Sequence, residues 1–224
     1  MMFINADAPA DKPETDQMKV IHRVMRRELP LLAGLVAAVP PGDNLRSAVL
    51  AHHLDLVIGM IHEHHESEDE LIWPLLHARV PMRDDLIDVM QEQHAAVAQA
   101  LDGIRRDLPG WSAGASAEVR DRLAGHLRAL ATILITHLDL EEREVLPLVH
   151  DHLSVAEWRA PQRHAMKHGP AALTDKVLLA GMVLEDTSPR ERAWFLSEMP
   201  PPARLLWKLI GQRRYADHIG RVRT

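Results

Sequence analysis

The sequence contains no cysteine among its 224 residues. Disulfides, iron–sulfur clusters and thiolate metal sites are therefore excluded, and nothing argues for secretion. Aromatic residues make up only 4% of the chain, whereas alanine and leucine are abundant. This balance favours helices, because strands draw on β-branched and aromatic side chains.

Long apolar segments are missing as well. The longest apolar run, from Leu29 to Pro41, contains prolines and is too short to span a bilayer. The first residues lack the positive start and apolar stretch of a signal peptide, so residues 1–13 are expected to form a flexible tail. These features predict a cytoplasmic protein without a membrane partner.

The overall charge further limits the classes of molecule that the protein is expected to bind. A formal net charge of −6 argues against nucleic acid, whose phosphates attract basic proteins. A hydrophobic content of 46% is typical of a globular chain, and the length suffices for one domain with an extension. The unusual count is histidine, with 15 residues.

Helical periodicity and proline or glycine breaks divide the first part of the chain into four long helices. They are predicted from about Glu14 to Ala38, from Asp43 or Asn44 to about Ala78, from about Arg83 to Asp107, and from Ser116 to about Val149. Short links between long helices imply antiparallel neighbours. The fold class is therefore all-α, with an up-down-up-down four-helix bundle over residues 14–150 and a helical C-terminal extension over residues 151–224.

Each of these helices has an apolar seam, which is the row of core-facing positions at helical spacing. Polar residues interrupt the seams at corresponding places in the helices. The residues concerned are His22, His64, Glu68, His94, His137 and Glu141. Burying four imidazoles and two carboxylates in one core is costly unless metal ions neutralise the carboxylates and accept the histidine lone pairs. We therefore predict a metal site on these six side chains.

The spacing of these residues repeats along the chain. His22 precedes His64 by 42 residues, and His94 precedes His137 by 43 residues. His64 and His137 are each followed by glutamate four residues later, on the same helix face, and then by proline and leucine. Two similar helical hairpins, each with its own ligand set, indicate two metal ions.

This arrangement resembles the hemerythrin HHE cation-binding family, whose pattern is H…HxxxE…H…HxxxE, over residues 15–150. The resemblance implies two iron ions, bridged by two carboxylates and by an oxo or hydroxo group. It implies terminal ligation by the four histidines and bridging by Glu68 and Glu141. No catalytic residues beyond these metal ligands are expected.

The third helix departs from the oxygen-carrying hemerythrins, which have two histidines four residues apart there. The positions four before and four after His94 hold Met90 and Ala98. One iron should therefore keep an open position or take a ligand from elsewhere in the chain. In this respect the chain is similar to actinobacterial hemerythrin-like proteins, some of which decompose peroxide or handle nitric oxide.

The resemblance implies a small-molecule partner, namely dioxygen, hydrogen peroxide or nitric oxide. The leading hypothesis is catalase-like peroxide decomposition or peroxide-dependent nitric oxide removal by an oxidoreductase. The alternatives are a dioxygen-binding or sensing module without turnover, and iron storage. A homodimer is left open. A ferritin-like di-iron bundle is disfavoured, because no histidine has glutamate three residues before it.

Several further residues have chemistry that this hypothesis does not use. His65 is expected to point off the seam, where it could pair with Asp69, and a direct metal role is the alternative. His53 and His126 are interpreted as polar layers nearer a bundle end, and Tyr215 as a surface residue. The pair His164 and His168 has metal-ligand spacing but is interpreted as helix surface.

Overall fold

The computed structural model describes residues 11–224, and it contains helices but no strands in that range. Most of the predicted tail lies outside the described residues, although Lys12 contacts Asp151 at 2.7 Å. The helices of the bundle region are, in chain order, α1 Met18–Ala37, α2 Asn44–Leu71, α3 Trp73–Arg79, α4 Asp84–Gly114, α5 Ala117–Leu140 and α6 Leu146–His152. The predicted all-α class is confirmed.

Four of these helices surround the core. Helix α1 packs on α2 and α5, and α4 packs on the same two helices, which closes a ring of α1, α2, α4 and α5. Leucine, isoleucine and valine side chains at helical spacing fill the space between them. Within the described part of the chain, no helix combines the length and apolarity that crossing a membrane requires.

The predicted helix starts are correct at two caps. The Asp43 side chain accepts a hydrogen bond from the backbone N–H of Arg46, and the Ser116 side chain accepts one from Val119. Each cap supplies a partner to an N–H group that the first helical turn leaves unpaired.

The predicted end of the third bundle helix is wrong. Helix α4 passes through Pro109 and ends at Gly114, seven residues beyond the expected end at Asp107. Trp111 is fully buried in the core, and continuing the helix is what brings its indole there. This burial offsets the backbone hydrogen bond that proline removes. Ala115, with φ of 44°, ends the helix in the left-handed region.

Two predicted continuous helices are interrupted close to the glutamates of the seam. Helix α2 ends at Leu71 and α3 begins at Trp73, whereas α5 leads into a π turn, Glu141–Val145, before α6. Pro74 and Pro147 lie in the first turn of the new helices, where their missing N–H groups cost nothing. The helices predicted to end at Ala78 and at Val149 are therefore each divided into two helices in the structure.

The extension is a chain of shorter helices packed on one side of the bundle. They are α7 Val155–Trp158, α8 Ala160–His168, α9 Leu173–Glu185, α10 Pro189–Glu198, α11 Pro201–Leu206, a π turn Trp207–Gly211, and α12 Gln212–Arg223. The predicted capping boxes form at Ser154 with Glu157 and at Ser188 with Glu191. Helix α8 packs against α2, α9 against α1, and α12 against both α2 and α9.

A buried chain of polar side chains joins the extension to the bundle. His53 Nε2 donates to Glu28 at 3.1 Å, and His53 Nδ1 accepts from His218 Nε2 at 3.1 Å. The polar layer expected at His53 is thus present, whereas His126 is 39% exposed beside Asp107. The surface position expected for Tyr215 is wrong, because α9 and its Glu185, which accepts from the tyrosine hydroxyl at 2.7 Å, cover the ring.

His218 makes the docking of the extension sensitive to acid. Burial, together with nearby His53 and His52, lowers the pKa of His218 to about 4. The unfolded chain has its histidine pKa near 6.5, so it takes up a proton first as the pH falls. The free energy of unfolding should therefore decrease between about pH 6.5 and pH 4, by about 1–2 kcal/mol from this residue. The groups around it are His52, His53, Asp175 and Arg221.

Urea unfolding of the wild-type protein and of His218→Gln from pH 7.5 to pH 4.5 measures this effect. Glutamine retains an N–H donor for His53 but does not titrate. The difference in unfolding free energy between the two proteins should shift in favour of the variant as the pH falls. His126→Gln is the matched control and should run parallel to wild type. Parallel curves for His218→Gln would contradict the prediction.

Candidate metal centre

The six side chains singled out in the sequence converge in the bundle core, close to the level where α2 gives way to α3. His22 Nε2 lies 3.2 Å from His64 Nε2, and His94 Nε2 lies 3.3 Å from His137 Nε2. The first pair joins α1 to α2 and the second joins α4 to α5, so all four bundle helices contribute. Five of the six are buried, and the sixth, His64, is partly exposed to a cavity.

Together with His65, these side chains supply ligand atoms that fall into two groups, and within each group the atoms lie within 4.8 Å of one another. One group is His65, Glu68, His94 and His137, and the other is His22, His64 and Glu141. Both glutamates connect the groups. Glu68 approaches His64 Nε2 at 3.5 Å with one oxygen and His94 Nε2 at 3.6 Å with the other.

Glu141 also connects the two groups, but through a single oxygen. Its Oε2 lies 3.3 Å from His22 Nε2 and 3.7 Å from His137 Nε2. Each carboxylate therefore stands between a histidine of one group and a histidine of the other. A ligand that bridges two metal ions requires this placement.

Three histidines are oriented by hydrogen bonds at Nδ1, the ring nitrogen that points away from the centre. His22 Nδ1 donates to Glu142 at 2.9 Å, His94 Nδ1 donates to Asp69 at 2.8 Å, and His137 Nδ1 donates to Gln93 at 3.1 Å. Because these partners accept, the proton is placed on Nδ1, and the Nε2 lone pair is left facing the centre. Hydrogen bonds of this kind orient imidazole ligands and raise their basicity.

Sequence reasoning missed Asp69, Glu142 and Gln93 as parts of the site. A signal for two of them is present, because each hairpin carries an acidic pair, Glu68-Asp69 and Glu141-Glu142. The first member of each pair faces the centre, and the second crosses to a histidine of the other hairpin. Their role follows only from how the helices pack.

The electrostatics of the centre are those of a site that could hold a cation. Both oxygens of Glu68 and Oε2 of Glu141 are buried without a hydrogen-bond partner in the described structure. Burial and the facing Glu141 carboxylate raise the pKa of Glu68 well above its usual range. Burial and neighbouring His94 lower the pKa of His137 to about 2. Neutral histidines beside unpaired carboxylates are the donor set of a metal site.

Comparison with protein families agrees with this geometry. The model of the hemerythrin HHE cation binding domain matches residues 14–149. The chain belongs to this family. Comparison with curated proteins gave no match, and comparison with solved structures gave none. The region matched by the hemerythrin HHE model thus covers the bundle with the histidine and glutamate cluster at its centre, and residues 150–224 lie beyond the matched region.

His65 differs from its expected role in this HHE domain. The prediction that it points off the seam and pairs with Asp69 is wrong, because it is buried and Asp69 instead binds His94. Its ring stacks on His94 with centroids 4.2 Å apart and meets the edge of His137 at 4.9 Å. Its Nε2 is buried and has no hydrogen-bond partner among residues 11–224.

A cavity of about 450 Å³ opens between the HHE domain and the extension. Residues of α2, α8, α9 and α10 line it, mainly with apolar side chains such as Ile58, Leu179 and Phe195. His64 lies in its wall. Through His64, the cavity therefore reaches the edge of the group formed by His22, His64 and Glu141.

Proposed function

We propose that the HHE domain binds two iron ions, one at each of the two ligand groups. His22, His64 and Glu141 would hold one ion, and Glu68, His94 and His137 would hold the other, with both glutamates shared. The support comes from the unpaired buried carboxylate oxygens and from the placement of each carboxylate between the two groups. Histidine and carboxylate ligands suit both ferrous and ferric iron.

We further propose that His65 supplies the ligand that the third bundle helix lacks. Its free Nε2 belongs to the group of Glu68, His94 and His137. That group then has three histidines and a shared glutamate. The other group has two histidines, and it adjoins the cavity. The ion with fewer protein ligands would thus be the one that incoming molecules reach.

The functional proposal rests on this difference between the two groups, in their number of histidines and in their contact with the cavity. We infer that the protein decomposes hydrogen peroxide in a catalase-like reaction, in which two peroxide molecules yield dioxygen and two water molecules. An iron pair supplies the two-electron redox change that this reaction requires. Asp69 and Glu142 keep protons on His94 and His22 at Nδ1, and the cavity walls admit peroxide while shielding the centre. Peroxide-dependent nitric oxide removal is a second use of the same route.

Oxygen evolution from peroxide by the iron-loaded protein tests the proposal. Gly59 lines the cavity, and a Cβ added there would have no atom of the described residues within 4 Å, apart from its own helix backbone and chain neighbours. Gly59→Trp should therefore fill part of the cavity, leave the iron content unchanged, and lower the rate at least fivefold. Gly34→Trp is the matched control, because Gly34 also has free space but lies away from the cavity. It should leave the rate unchanged.

Two results would overturn the proposal. One is equal loss of activity in both tryptophan variants, since it would remove the cavity as the route. The other is an iron-loaded protein that gives a reversible optical change on oxygenation but evolves no oxygen from peroxide. That second result would identify a dioxygen-binding or sensing module instead.

A further inference from the structure

A second cluster of metal-ligand type lies where the extension meets the bundle. It consists of Glu63 on α2 and of His164 and His168 on α8, and a ligand atom from each lies within 4.8 Å of the others. None of the three belongs to the six side chains of the proposed iron centre. The two histidines, interpreted from the sequence as ordinary surface, therefore face a carboxylate of the bundle.

The histidine pair is already close to chelating geometry. His168 Nδ1 lies 2.8 Å from His164 Nε2, and the rings are inclined at 70°. Two imidazole nitrogens bound to one Zn²⁺ in a tetrahedral site lie about 3.3 Å apart, given bonds of about 2.0–2.1 Å. The rings must therefore separate by about half an ångström, which rotation of an exposed His168 side chain permits.

Glu63 gives an independent reason to expect a cation. Its Oε2 is buried and finds no hydrogen-bond partner in the part of the chain that the structure describes, although the residue lies at the boundary between α2 and α8. A carboxylate oxygen removed from water without a partner is unfavourable unless a positive charge lies nearby. Glu66 and Glu70 lie one and two turns further along α2, and Glu70 approaches His164 Nδ1 at 3.7 Å. They add to the negative potential at this place.

We propose that Glu63, His164 and His168 bind one divalent transition-metal ion of the Zn²⁺ type. Two histidines and one carboxylate leave a fourth position open to water. The bound ion would tie α8 to α2 across the cavity, because Glu63 and His168 both line it. This site is independent of the proposed iron chemistry, since it shares no ligand with it.

Isothermal titration of the iron-loaded protein with Zn²⁺ tests the site. One Zn²⁺ ion per chain should bind, with no release of iron into the filtrate. His164→Ala and His168→Gln should each weaken binding at least tenfold. Hydrogen exchange of the α8 amides should slow on adding Zn²⁺ to the wild-type protein and should not change in either variant.

His62→Ala is the matched control, because His62, Glu63 and Glu66 form a competing set on the surface of α2 alone. It should leave the affinity unchanged. Loss of Zn²⁺ binding in His62→Ala with retention in both α8 variants would overturn the proposal. So would release of one iron for each Zn²⁺ bound, or no binding at all. None of these results depends on peroxide turnover, so the two proposals fail separately.

Discussion

Replacing Glu68 by glutamine should remove at least half of the iron that we propose the protein binds, while making the metal-free protein more stable. Glutamine has the shape of glutamate but no charge, so it is a poor shared ligand for two ions. In the metal-free protein the same change removes an ionisable group that is buried, without a hydrogen bond, and opposite Glu141. The free energy of unfolding should rise by about 1–2 kcal/mol at pH 8.

The pH dependence of this gain has a definite sign. The pKa of Glu68 is raised in the folded protein, whereas in the unfolded chain it is near 4.3. Below that pH both states carry the proton, and the glutamate imposes no penalty. Above it, keeping Glu68 protonated or burying its charge costs folding free energy that increases with pH. The advantage of Glu68→Gln should therefore vanish near pH 4 and grow toward pH 8.

Glu142→Gln is the matched control with the opposite expected sign. Burial alone would raise the pKa of Glu142, but hydrogen bonds from His22 and Arg26 hold it below its usual range. Removing this charge should lower the stability of the metal-free protein by about 1 kcal/mol. Iron analysis and urea unfolding measure both variants. A Glu68→Gln protein with full iron, or one that is less stable than wild type without metal, would contradict the prediction.

Replacing Gly181 by alanine should destabilise the protein by about 3 kcal/mol and release α12 from α9. An alanine Cβ there would overlap Cγ and Cδ2 of the Tyr215 ring and lie 2.8 Å from its Cβ. The Tyr215 ring is fixed at one end by its Cβ, which is attached to α12, and at the other end by its hydroxyl, which donates to Glu185. It therefore has no small movement that relieves the overlap.

Urea unfolding and limited proteolysis near the C-terminus measure this effect. Gly34→Ala, at an open position in α1, should instead stabilise the protein by about 0.5–1 kcal/mol, because alanine restricts the unfolded chain. Adding Tyr215→Ala to Gly181→Ala should cost less than the sum of the two single changes. Strict additivity, or a Gly181→Ala protein as stable as wild type, would show that the overlap is not the cause.

The bundle and its six convergent side chains were accessible from sequence because a helical seam has a fixed period. A histidine or glutamate at a seam position must face the core, whatever the exact packing, so the periodicity alone places His22 and Glu141 there. His65 was not accessible in this way. It lies one residue beyond the seam, and it is buried only because α4 comes close enough for His94 to stack on it.

The extension was less predictable for the same kind of reason. Its capping boxes are local and were predicted correctly, but its contacts join residues far apart in the chain. His218 meets His53 across 165 positions, and His164 and His168 meet Glu63 across about a hundred. No periodic pattern links such residues. Tyr215 was expected at the surface because arginines precede it, and only the packing of α9 on α12 covers it.

Two hydrogen bonds make each hairpin of the bundle depend on the other at the centre. Asp69, on the first hairpin, holds His94 of the second, and Glu142, on the second, holds His22 of the first. Each half of the bundle therefore depends on the other half to orient one of its seam histidines. A gene fragment encoding a single hairpin would thus be able to build such a centre only by pairing with another copy. When two such halves are joined in one chain, assembly of the centre no longer requires two molecules to meet, so it does not depend on protein concentration.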